Sequence, residues 1–412
     1  MTALASSPTR DLPVHNGVAE KRVLVTLGGS LFYGQERGNV QVFHALRDVG
    51  VDALFLTNQH KGHTAIQPAL DTLGLSWTTA PYPSRWRYGM TARQLVRGVG
   101  RTIASNRDFN AALRQYRPTH VHTMSERYAL DLAPSLRRLS LPLIYRAGDE
   151  PLRHHPLYQA LWRHLLIPKV TQFVAISHFI RRSLQEVGVP EERIRVIYNY
   201  PPERPSRNGS PDLPAHLLEP YAGRTVLYVG QMTRDKGVDL LVEAAITLCR
   251  EREDVRVLFA GTPAHSNGLV DGLQRAVREA GLGSRIQFMG YVEDIEALLE
   301  LADVHTAPSV WNEPLSNVVG EAKRAGVPSV IFPSGGLPEL VVRHGDDAFV
   351  CMAKTAEALA AGLRHYLDLA DEPLRSAGAS AYQSLSSLGI TREAFIHNWA
   401  AVYSDLPYSN AN

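Results

Sequence analysis

Two carboxylate residues eight positions apart, Glu313 and Glu321, are the first candidates for chemistry in this chain. They stand in the segment from Pro308 to Ala322, which follows an apolar run typical of a buried strand. If a helix begins near Leu315, Glu313 lies in the loop before it and Glu321 about two turns along, roughly 10 Å away at 1.5 Å per residue. Such a pair can span a nucleotide sugar from its hexose to its ribose, because each carboxylate accepts hydrogen bonds from hydroxyl groups. A capped helix with two solvated glutamates is the alternative.

A loop that can receive a diphosphate runs from Val229 to Gly237, between a strand-like run and a helical pattern. It holds Gly230, Arg234 and Lys236, so backbone amides and two cations can meet phosphate oxygens there. The amides of residues 315–317 add to this, since the first amides of a helix have no partner inside it. An ordinary strand-to-helix turn with surface charges is the competing interpretation.

Three segments together resemble the signature regions of family 4 of the retaining glycosyltransferases, whose fold is GT-B. They run from Gly230 to Gly237, from Glu313 to Glu321 with Ala322 and Gly326, and through the glycine turn that leads to Glu339. The last segment is a weak signal by itself. The resemblance extends into the first half of the chain, where Gly34-Gln35-Glu36-Arg37 is similar to the family's Gly-Gly-Ala-Glu-Arg loop, and it covers Lys21 to Tyr403.

The resemblance implies a role for each candidate residue. Glu313 would hold the hydroxyls of the transferred sugar, Lys236 the donor's phosphates, and Glu321 the ribose. Leu315 and Ser316 would offer backbone amides to the distal phosphate. The donor-binding residues implied in this way are Gly230, Arg234, Lys236, Pro314, Leu315, Ser316 and Glu321.

Two positions depart from the family's pattern. Gln231 stands where many relatives carry a phosphate-binding arginine, and Arg234 is the residue that can compensate. Relatives often place an active-site histidine at the end of the strand that begins near Thr119, whereas Met124 occupies that position here. Either His122 takes part in catalysis together with Glu313 and Lys236, or the role is absent and His122 is a buried, hydrogen-bonded strand histidine.

The elements that must position these residues follow a βαβ rhythm on both sides of a break. A helix is expected from Gly38 to Arg47. The strand-like runs are Val23–Leu27, Ala53–Thr57, His120–Thr123, Leu141–Tyr145, Gln172–Ile176 and Ile194–Tyr198, then Val226–Val229, Val255–Ala260, Ile286–Met289, Val304–Ala307 and Val327–Phe332. Such alternation is typical of parallel sheets. We expect an α/β chain of the GT-B class, with two Rossmann-like, doubly wound domains facing a central cleft.

The break gives the domain boundaries. Six prolines accumulate between residues 201 and 220, which indicates a linker over 201–222. An acceptor-binding domain is expected at 21–200 and a nucleotide-sugar-binding domain at 223–390, preceded by a disordered tail at 1–20. The last segment, 391–412, carries an amphipathic helical pattern and is expected to cross back to the first domain.

The amino-acid composition narrows the class of protein further. The chain has 412 residues, enough for two domains, and only two cysteines, which suits reduced thiols in the cytoplasm. No secretory signal is recognisable in Met1–Glu20, and no run approaches the roughly 20 apolar residues of a transmembrane helix. No Asp-x-Asp occurs, so the usual carboxylate clamp for a metal on the diphosphate has no candidate, and we expect neither metal nor cofactor beyond the nucleotide-sugar co-substrate.

The predicted reaction is retaining transfer of a hexose or related sugar from a UDP-linked donor to a hydroxyl of a glycan, a lipid-linked acceptor or a small molecule, without nucleic acid as a partner. A non-catalytic nucleotide- or sugar-binding protein would share the same residues. A Rossmann-type oxidoreductase is disfavoured because the loop Gly28-Gly29-Ser30 lacks the Gly-x-Gly-x-x-Gly pattern and Thr57 is not an acidic ribose ligand.

Charge is divided unequally along the chain. The first 200 residues hold 25 Lys and Arg against 14 Asp and Glu, whereas the rest hold 18 against 27. Within 84–118 there are eight arginines and a single acid, Asp108, and Arg93, Arg97 and Arg101 form one stripe on a helix, with Leu95, Val96, Val99 and Ile103 available to an apolar layer. Relatives that glycosylate lipid-linked acceptors often rest on the inner membrane surface by such a face, so the resemblance implies, as a hypothesis, peripheral contact with the anionic inner face of a membrane. A solvated helix face or a pocket for an anionic soluble acceptor are the alternatives.

Overall fold

The computed structural model describes residues 21–29, 34–59, 66–82, 91–201, 213–219, 221–263 and 268–406. The chain divides into two compact units, one formed by the residues up to Tyr198 together with those from Glu393, and the other by Asn199–Arg392. The tail predicted at 1–20 lies outside the described residues, as do Arg85 and Arg87 and most of the predicted linker.

The first unit is built on a seven-stranded parallel sheet with the strand order β3-β2-β1-β4-β5-β6-β7. Its strands are β1 (Lys21–Leu27), β2 (Val51–Asn58), β3 (Ser76–Ala80), β4 (His120–Thr123), β5 (Leu143–Ala147), β6 (Gln172–Ala175) and β7 (Ile194–Val196). Its helices are α1 (Gly34–Leu46), α2 (Ile66–Thr72), α3 (Ala92–Tyr116), α4 (Glu126–Asp131), α5 (Ala133–Arg137), α6 (Pro156–Leu161), α7 (Ile167–Lys169) and α8 (His178–Glu186). A turn of π-helix, Trp162–Leu166, joins α6 to α7.

Two sequence expectations for this unit need correction. The helix expected from Gly38 to Arg47 begins at Gly34, so the segment likened to a family loop is the first turn of α1. The edge strand β3 was not predicted, because its sequence Ser-Trp-Thr-Thr-Ala is mostly polar and half-buried rather than an apolar run. The central strands were predicted because parallel strands are buried on both faces and therefore read as continuous apolar segments.

The second unit is built on a six-stranded parallel sheet with the strand order β10-β9-β8-β11-β12-β13. After a short helix, α9 (Ala215–Leu218), come β8 (Arg224–Val229), α10 (Val238–Glu251), β9 (Val255–Ala260), α11 (Leu269–Glu279), β10 (Ile286–Gly290), α12 (Ile295–Glu300), β11 (Val304–Ala307), α13 (Asn317–Arg324), β12 (Ser329–Ile331), β13 (Ala348–Val350), α14 (Ala356–Leu367) and α15 (Asp371–Ser387). The final helix, α16 (Arg392–Ser404), belongs to the first unit from Glu393 onward.

The helix α9 lies within the segment expected to be a linker. Its Leu217 is fully buried and packs with Leu227, Leu258 and Leu298 in one of the two apolar layers of the second unit. This part of the segment 201–222 therefore packs against the second unit and is not an extended linker.

In each sheet the strand order reverses beside the first strand of the unit, between β1 and β4 in the first sheet and between β8 and β11 in the second. In the second unit β8 pairs with β9 on one side and with β11 on the other, so the loops that follow β8 and β11 leave the same edge of the sheet. Ligands of doubly wound sheets bind outside the carboxyl ends of the strands at such a reversal. The two loops in question are those that carry Lys236 and Glu313.

Candidate functional site

The loops after β8 and β11 are joined through their backbones. The amides of Val310 and Trp311 both donate to the carbonyl of Asp235, at 2.9 Å and 3.2 Å. Gly237 adopts φ +71°, and a Cβ at this position would lie 1.9 Å from the carbonyl oxygen of Pro308. A glycine is therefore required for the two loops to approach this closely.

Lys236 and Glu313 meet where these loops touch. The ammonium of Lys236 forms an ion pair with Oε1 of Glu313, and the Ser309 hydroxyl donates to the same carboxylate oxygen at 2.6 Å. The Lys236 nitrogen also lies 5.2 Å from the centroid of the Trp311 ring, within reach of a cation–π contact. The side chains are 26% and 11% exposed, so the pair has one face open to solvent and to a ligand.

The glycine turn after β12 holds the backbone of Glu313. The amide of Gly336 donates to the Glu313 carbonyl at 2.7 Å, and the Ser334 hydroxyl donates to the Ser309 carbonyl. Gly335 has φ +59°, and a Cβ there would lie 2.2 Å from the Glu313 carbonyl oxygen. The glycine turn, a weak signal in the sequence, thus holds the backbone of the candidate catalytic glutamate in place.

The helix α13 begins at Asn317, two residues later than expected. Ser316 is its N-cap, and its hydroxyl accepts a hydrogen bond from the amide of Val319 at 3.3 Å. The first-turn amides that helix geometry leaves without an intrahelical partner are therefore those of Asn317 and Val318, and the amides of Leu315 and Ser316 precede the helix. Ser316 caps because its side-chain oxygen replaces the missing backbone acceptor of the first turn.

Glu321 lies on the second turn of α13, about 6 Å along the helix axis from Asn317 at 1.5 Å per residue. Its side chain is buried, as is Pro314 at the start of the loop that leads to the helix, while Leu315 is half-buried. The side-chain oxygen of Asn317 accepts a hydrogen bond from Asn199 at 2.8 Å. Glu313 thus lies before the positive end of the α13 dipole, and Glu321 lies about one turn into the helix.

The remaining donor-site candidates lie on the β8 loop. The Gly230 amide donates to the Ala260 carbonyl at 3.0 Å, and a Cβ on the neighbouring Gly261 would lie 1.8 Å from the Gly230 carbonyl oxygen. Arg234 instead forms a surface ion pair with Asp239 at 2.9 Å, with its side chain 75% exposed. The structure therefore brings Lys236 and Glu313 together but directs Arg234 to a different partner.

His122 lies in the core of the first unit. Its Nδ1 is 2.8 Å from the Tyr403 hydroxyl and its Nε2 is 3.0 Å from Oδ1 of Asn39, and the ring is fully buried. Because the Asn39 amide nitrogen donates to the Gln35 carbonyl, Oδ1 faces the imidazole, so Nε2 carries the proton and Nδ1 accepts from Tyr403. Burial, with a smaller contribution from Arg146, lowers the pKa of His122 to about 3.

These contacts favour the structural alternative for His122. A neutral imidazole with both nitrogens engaged by protein groups has neither a proton nor a lone pair to offer a substrate. Phe43 meets the ring edge-on, and Trp399 lies beside it, so His122 fastens α16 to β4. Met124, at the position where relatives often have a histidine, is buried as well.

The described residues hold neither a grouped set of metal ligands nor a helix that could span a membrane. No three His, Cys, Asp or Glu side chains are grouped as metal ligands among the residues that the structure describes. No helix in the described ranges is both long and apolar enough to cross a membrane.

Comparison with known families decides the class of the protein. Residues 223–368 match the family model "Glycosyl transferases group 1", and residues 32–200 match "Glycosyltransferase Family 4". The chain belongs to glycosyltransferase family 4. The resemblance seen in the sequence is confirmed.

Individual relatives of this family 4 chain are distant. It is 27% identical to an uncharacterised glycosyltransferase of Methanocaldococcus jannaschii over 204 residues, which are 48% of this chain and 50% of that protein. The chain thus spans about half the length of this relative, and a smaller share of several others. A longer match, 27% identical over 315 residues, links 70% of the chain to 79% of a phosphatidyl-myo-inositol mannosyltransferase of Mycobacterium leprae.

Solved structures confirm the GT-B fold. Anabaena HepE in complex with UDP and glucose superimposes with a TM-score of 0.73 at 18% identity, over 94% of this chain and 100% of that one. At this identity the likeness supports the fold alone. The expected α/β class with two doubly wound sheets is therefore correct.

Proposed function

We propose that this glycosyltransferase moves a hexose or related sugar from a UDP-linked donor to an acceptor hydroxyl, with retention of configuration and without a metal ion. One observation carries the proposal: the Lys236–Glu313 pair at the strand-order reversal of the second unit, beside the first turn of α13. A cation, a carboxylate and free helix amides in one place suit a phosphate next to a polyhydroxy ring.

In this proposal Lys236 and the amides that begin α13 neutralise charge on the leaving diphosphate. Glu313 accepts hydrogen bonds from hydroxyls of the transferred sugar, held in place by Ser309 and by the glycine turn at 335–336. Glu321 accepts from the ribose. Gly230, Pro314, Leu315 and Ser316 complete the donor loop, and Arg234 would have to leave Asp239 to join it.

Retention follows if the donor bond breaks through a short-lived oxocarbenium-like species. The bond between the anomeric carbon and the phosphate oxygen breaks, and its electrons stay with the diphosphate. That diphosphate then takes the proton of the acceptor hydroxyl, whose oxygen attacks from the same face. Such a reaction needs charge stabilisation of the leaving group more than a general base from the protein, which suits a structural rather than catalytic His122.

The test is release of nucleoside diphosphate from a panel of nucleotide sugars, with glycan, lipid-linked and small-molecule acceptors. We expect UDP release with at least one hexose donor, and an NMR spectrum of the product with the donor's anomeric configuration. Binding without release under every acceptor would instead favour a non-catalytic nucleotide- or sugar-binding protein. An inverted product would contradict the proposed mechanism.

We further propose that α3 contacts an anionic membrane surface. Val96, Val99 and Ile103 are 72%, 51% and 66% exposed, although apolar side chains of this size are usually buried. At 3.6 residues per turn they form a band roughly 60° wide, beside the exposed stripe of Arg93, Arg97 and Arg101. An apolar band bordered by arginines matches the boundary between acyl chains and anionic headgroups.

Co-sedimentation with vesicles tests this contact. Each arginine near an anionic surface contributes about 1 kcal/mol, so R97S/R101S should weaken binding to anionic vesicles roughly thirtyfold. The control R275S/R278S removes two exposed arginines from α11 in the other unit and should bind like the wild type. Failure of the wild type to sediment with either anionic or neutral vesicles would contradict the proposal and favour a soluble acceptor.

A further inference from the structure

We propose that Lys323, through a buried ion pair with Asp347, is a positioning residue that sets the direction of Glu321 on α13. The inference rests on the proposed function, in which Glu321 binds the ribose of the donor. Neither residue belongs to the motifs by which the site was recognised.

Lys323 is held by two other parts of the second unit. Its side chain is fully buried, and its ammonium donates to Oδ2 of Asp347 at 2.6 Å and to the Ser384 hydroxyl on α15 at 2.8 Å. Asp347 is in turn tied to its own loop, because its carboxylate accepts hydrogen bonds from the amides of Val342 and Arg343. The ammonium therefore joins α13 to α15 and to the loop before β13.

The same helix is also fixed by close backbone packing. A Cβ on Gly378 of α15 would lie 2.2 Å from the carbonyl oxygen of Gly326, the residue that ends the turn after α13. With this contact and the hydrogen bonds of the Lys323 ammonium, α13 has two attachments at its C-terminal end, both of which would be disturbed if the helix slid or rotated against α15. At its N-terminal end Asn317 accepts a hydrogen bond from the Asn199 side chain at 2.8 Å.

The orientation of the Glu321 side chain depends on the attachment of Lys323, because the two residues are two positions apart on the same short helix. At 3.6 residues per turn the two side chains point about 200° apart, so they leave nearly opposite sides of α13. A rotation that moved Lys323 would therefore turn Glu321 by the same angle. A fixed Lys323 fixes the direction from which the Glu321 carboxylate meets a ligand.

Stability alone does not account for the pair. Taking two charges out of water is costly, and a buried ion pair replaced by apolar side chains of similar size often leaves a protein as stable as before. Burial lowers the pKa of Lys323, as expected for an ammonium taken out of water, and the Asp347 carboxylate opposes this shift only in part. An apolar side chain at position 323 would not fix the rotation of α13 about its axis. The ammonium does, because its hydrogen bonds require the acceptors at defined positions.

Calorimetric titration of the full chain with UDP and with 2′-deoxy-UDP tests the inference. The variant K323M/D347N removes both charges and keeps an acceptor oxygen for one of the two loop amides that Asp347 binds. We expect the wild type to bind UDP more tightly than 2′-deoxy-UDP. The variant should bind UDP about fivefold more weakly, as for one lost hydrogen bond, and 2′-deoxy-UDP with unchanged affinity.

Two further variants keep the result interpretable. Leu359→Ala should destabilise the same unit from α14, where the side chain is fully buried, while leaving in place the hydrogen bonds of Lys323 to Asp347 and Ser384, and should retain the preference for UDP. Ser384→Ala removes only one acceptor of the Lys323 ammonium and should weaken UDP binding in the same direction by a smaller factor, so it serves if the double variant does not fold.

Four outcomes would count against the inference or its basis. If K323M/D347N or Ser384→Ala lowers Tm but leaves the preference for UDP intact, the pair is purely structural and the inference is wrong. If the affinities for both nucleotides fall equally, Lys323 does not act through Glu321. If the wild type does not bind UDP, the proposed function of the site fails instead. If it binds UDP and 2′-deoxy-UDP equally, Glu321 does not accept a hydrogen bond from the 2′-hydroxyl and the inference fails.

Discussion

The replacement of Glu313 by Gln is the most direct perturbation of the proposed site, because the amide keeps the shape of the side chain and removes its charge. In the structure the Glu313 carboxylate is held by Ser309 and Lys236, with 11% of its side chain exposed. A hydrogen bond from a sugar hydroxyl to such a carboxylate contributes about 1.5–3 kcal/mol. Its loss should lower kcat/KM by roughly 10- to 150-fold.

The accompanying loss of stability should be smaller. Lys236 is 26% exposed and can turn to solvent when its partner becomes neutral, so the ion pair contributes only about 0.5–1 kcal/mol to the free energy of unfolding after solvent screening. The assay is UDP release under saturating acceptor, with urea unfolding of the same samples. The control is Glu243→Gln, which neutralises an exposed glutamate on α10 and should change neither quantity. Wild-type kcat/KM in the Glu313→Gln protein would refute the assignment of the site.

Three other outcomes are expected. Gly335→Ala should lower kcat/KM by at least about tenfold, because its Cβ would collide with the Glu313 carbonyl. The control Gly281→Ala has a similar positive φ in open space and should only lose about 1 kcal/mol of stability. Equal activity in both variants would show that the glycine turn does not position Glu313. UDP should bind with the same affinity with and without a chelator, and binding that disappears on chelation and returns with Mg²⁺ would show a metal requirement. Because burial lowers the pKa of His122 and His305 to about 3, the unfolded chain alone takes up these protons below the ordinary pKa of histidine. The free energy of unfolding should fall by up to about 1.4 kcal/mol per pH unit for each histidine as the pH decreases from roughly 6.5 toward 3. Urea titrations at several pH values should show a shallower dependence in His122→Asn, and an unchanged slope would contradict this account.

The sequence predicted the sheets well where strands are buried on both faces and failed where they are not. Continuous apolar runs revealed β1, β8 and β9, whereas the polar edge strand β3 left no such signal. The start of α13 was placed two residues early, because a Pro-Leu-Ser sequence allows a helix to begin at several positions and the Ser316 cap decides among them. The role of His122 was left open, since burial of a strand histidine depends on α16, which lies far along the chain.

What the sequence by itself determined is the order of the βαβ units, the family, and the residue types at the strand ends. These follow from local periodicity and from motifs that are contiguous in the chain. Only the tertiary structure decided which strand ends meet. Lys236 and Glu313 are 77 residues apart, and they form a pair because β8 and β11 are neighbours in the sheet, although β9 and β10 separate them in the chain. The same packing brings Gly335 against Glu313 and Asp347 against Lys323, contacts that depend on the order of the strands and on the fit of helices over them rather than on any local pattern.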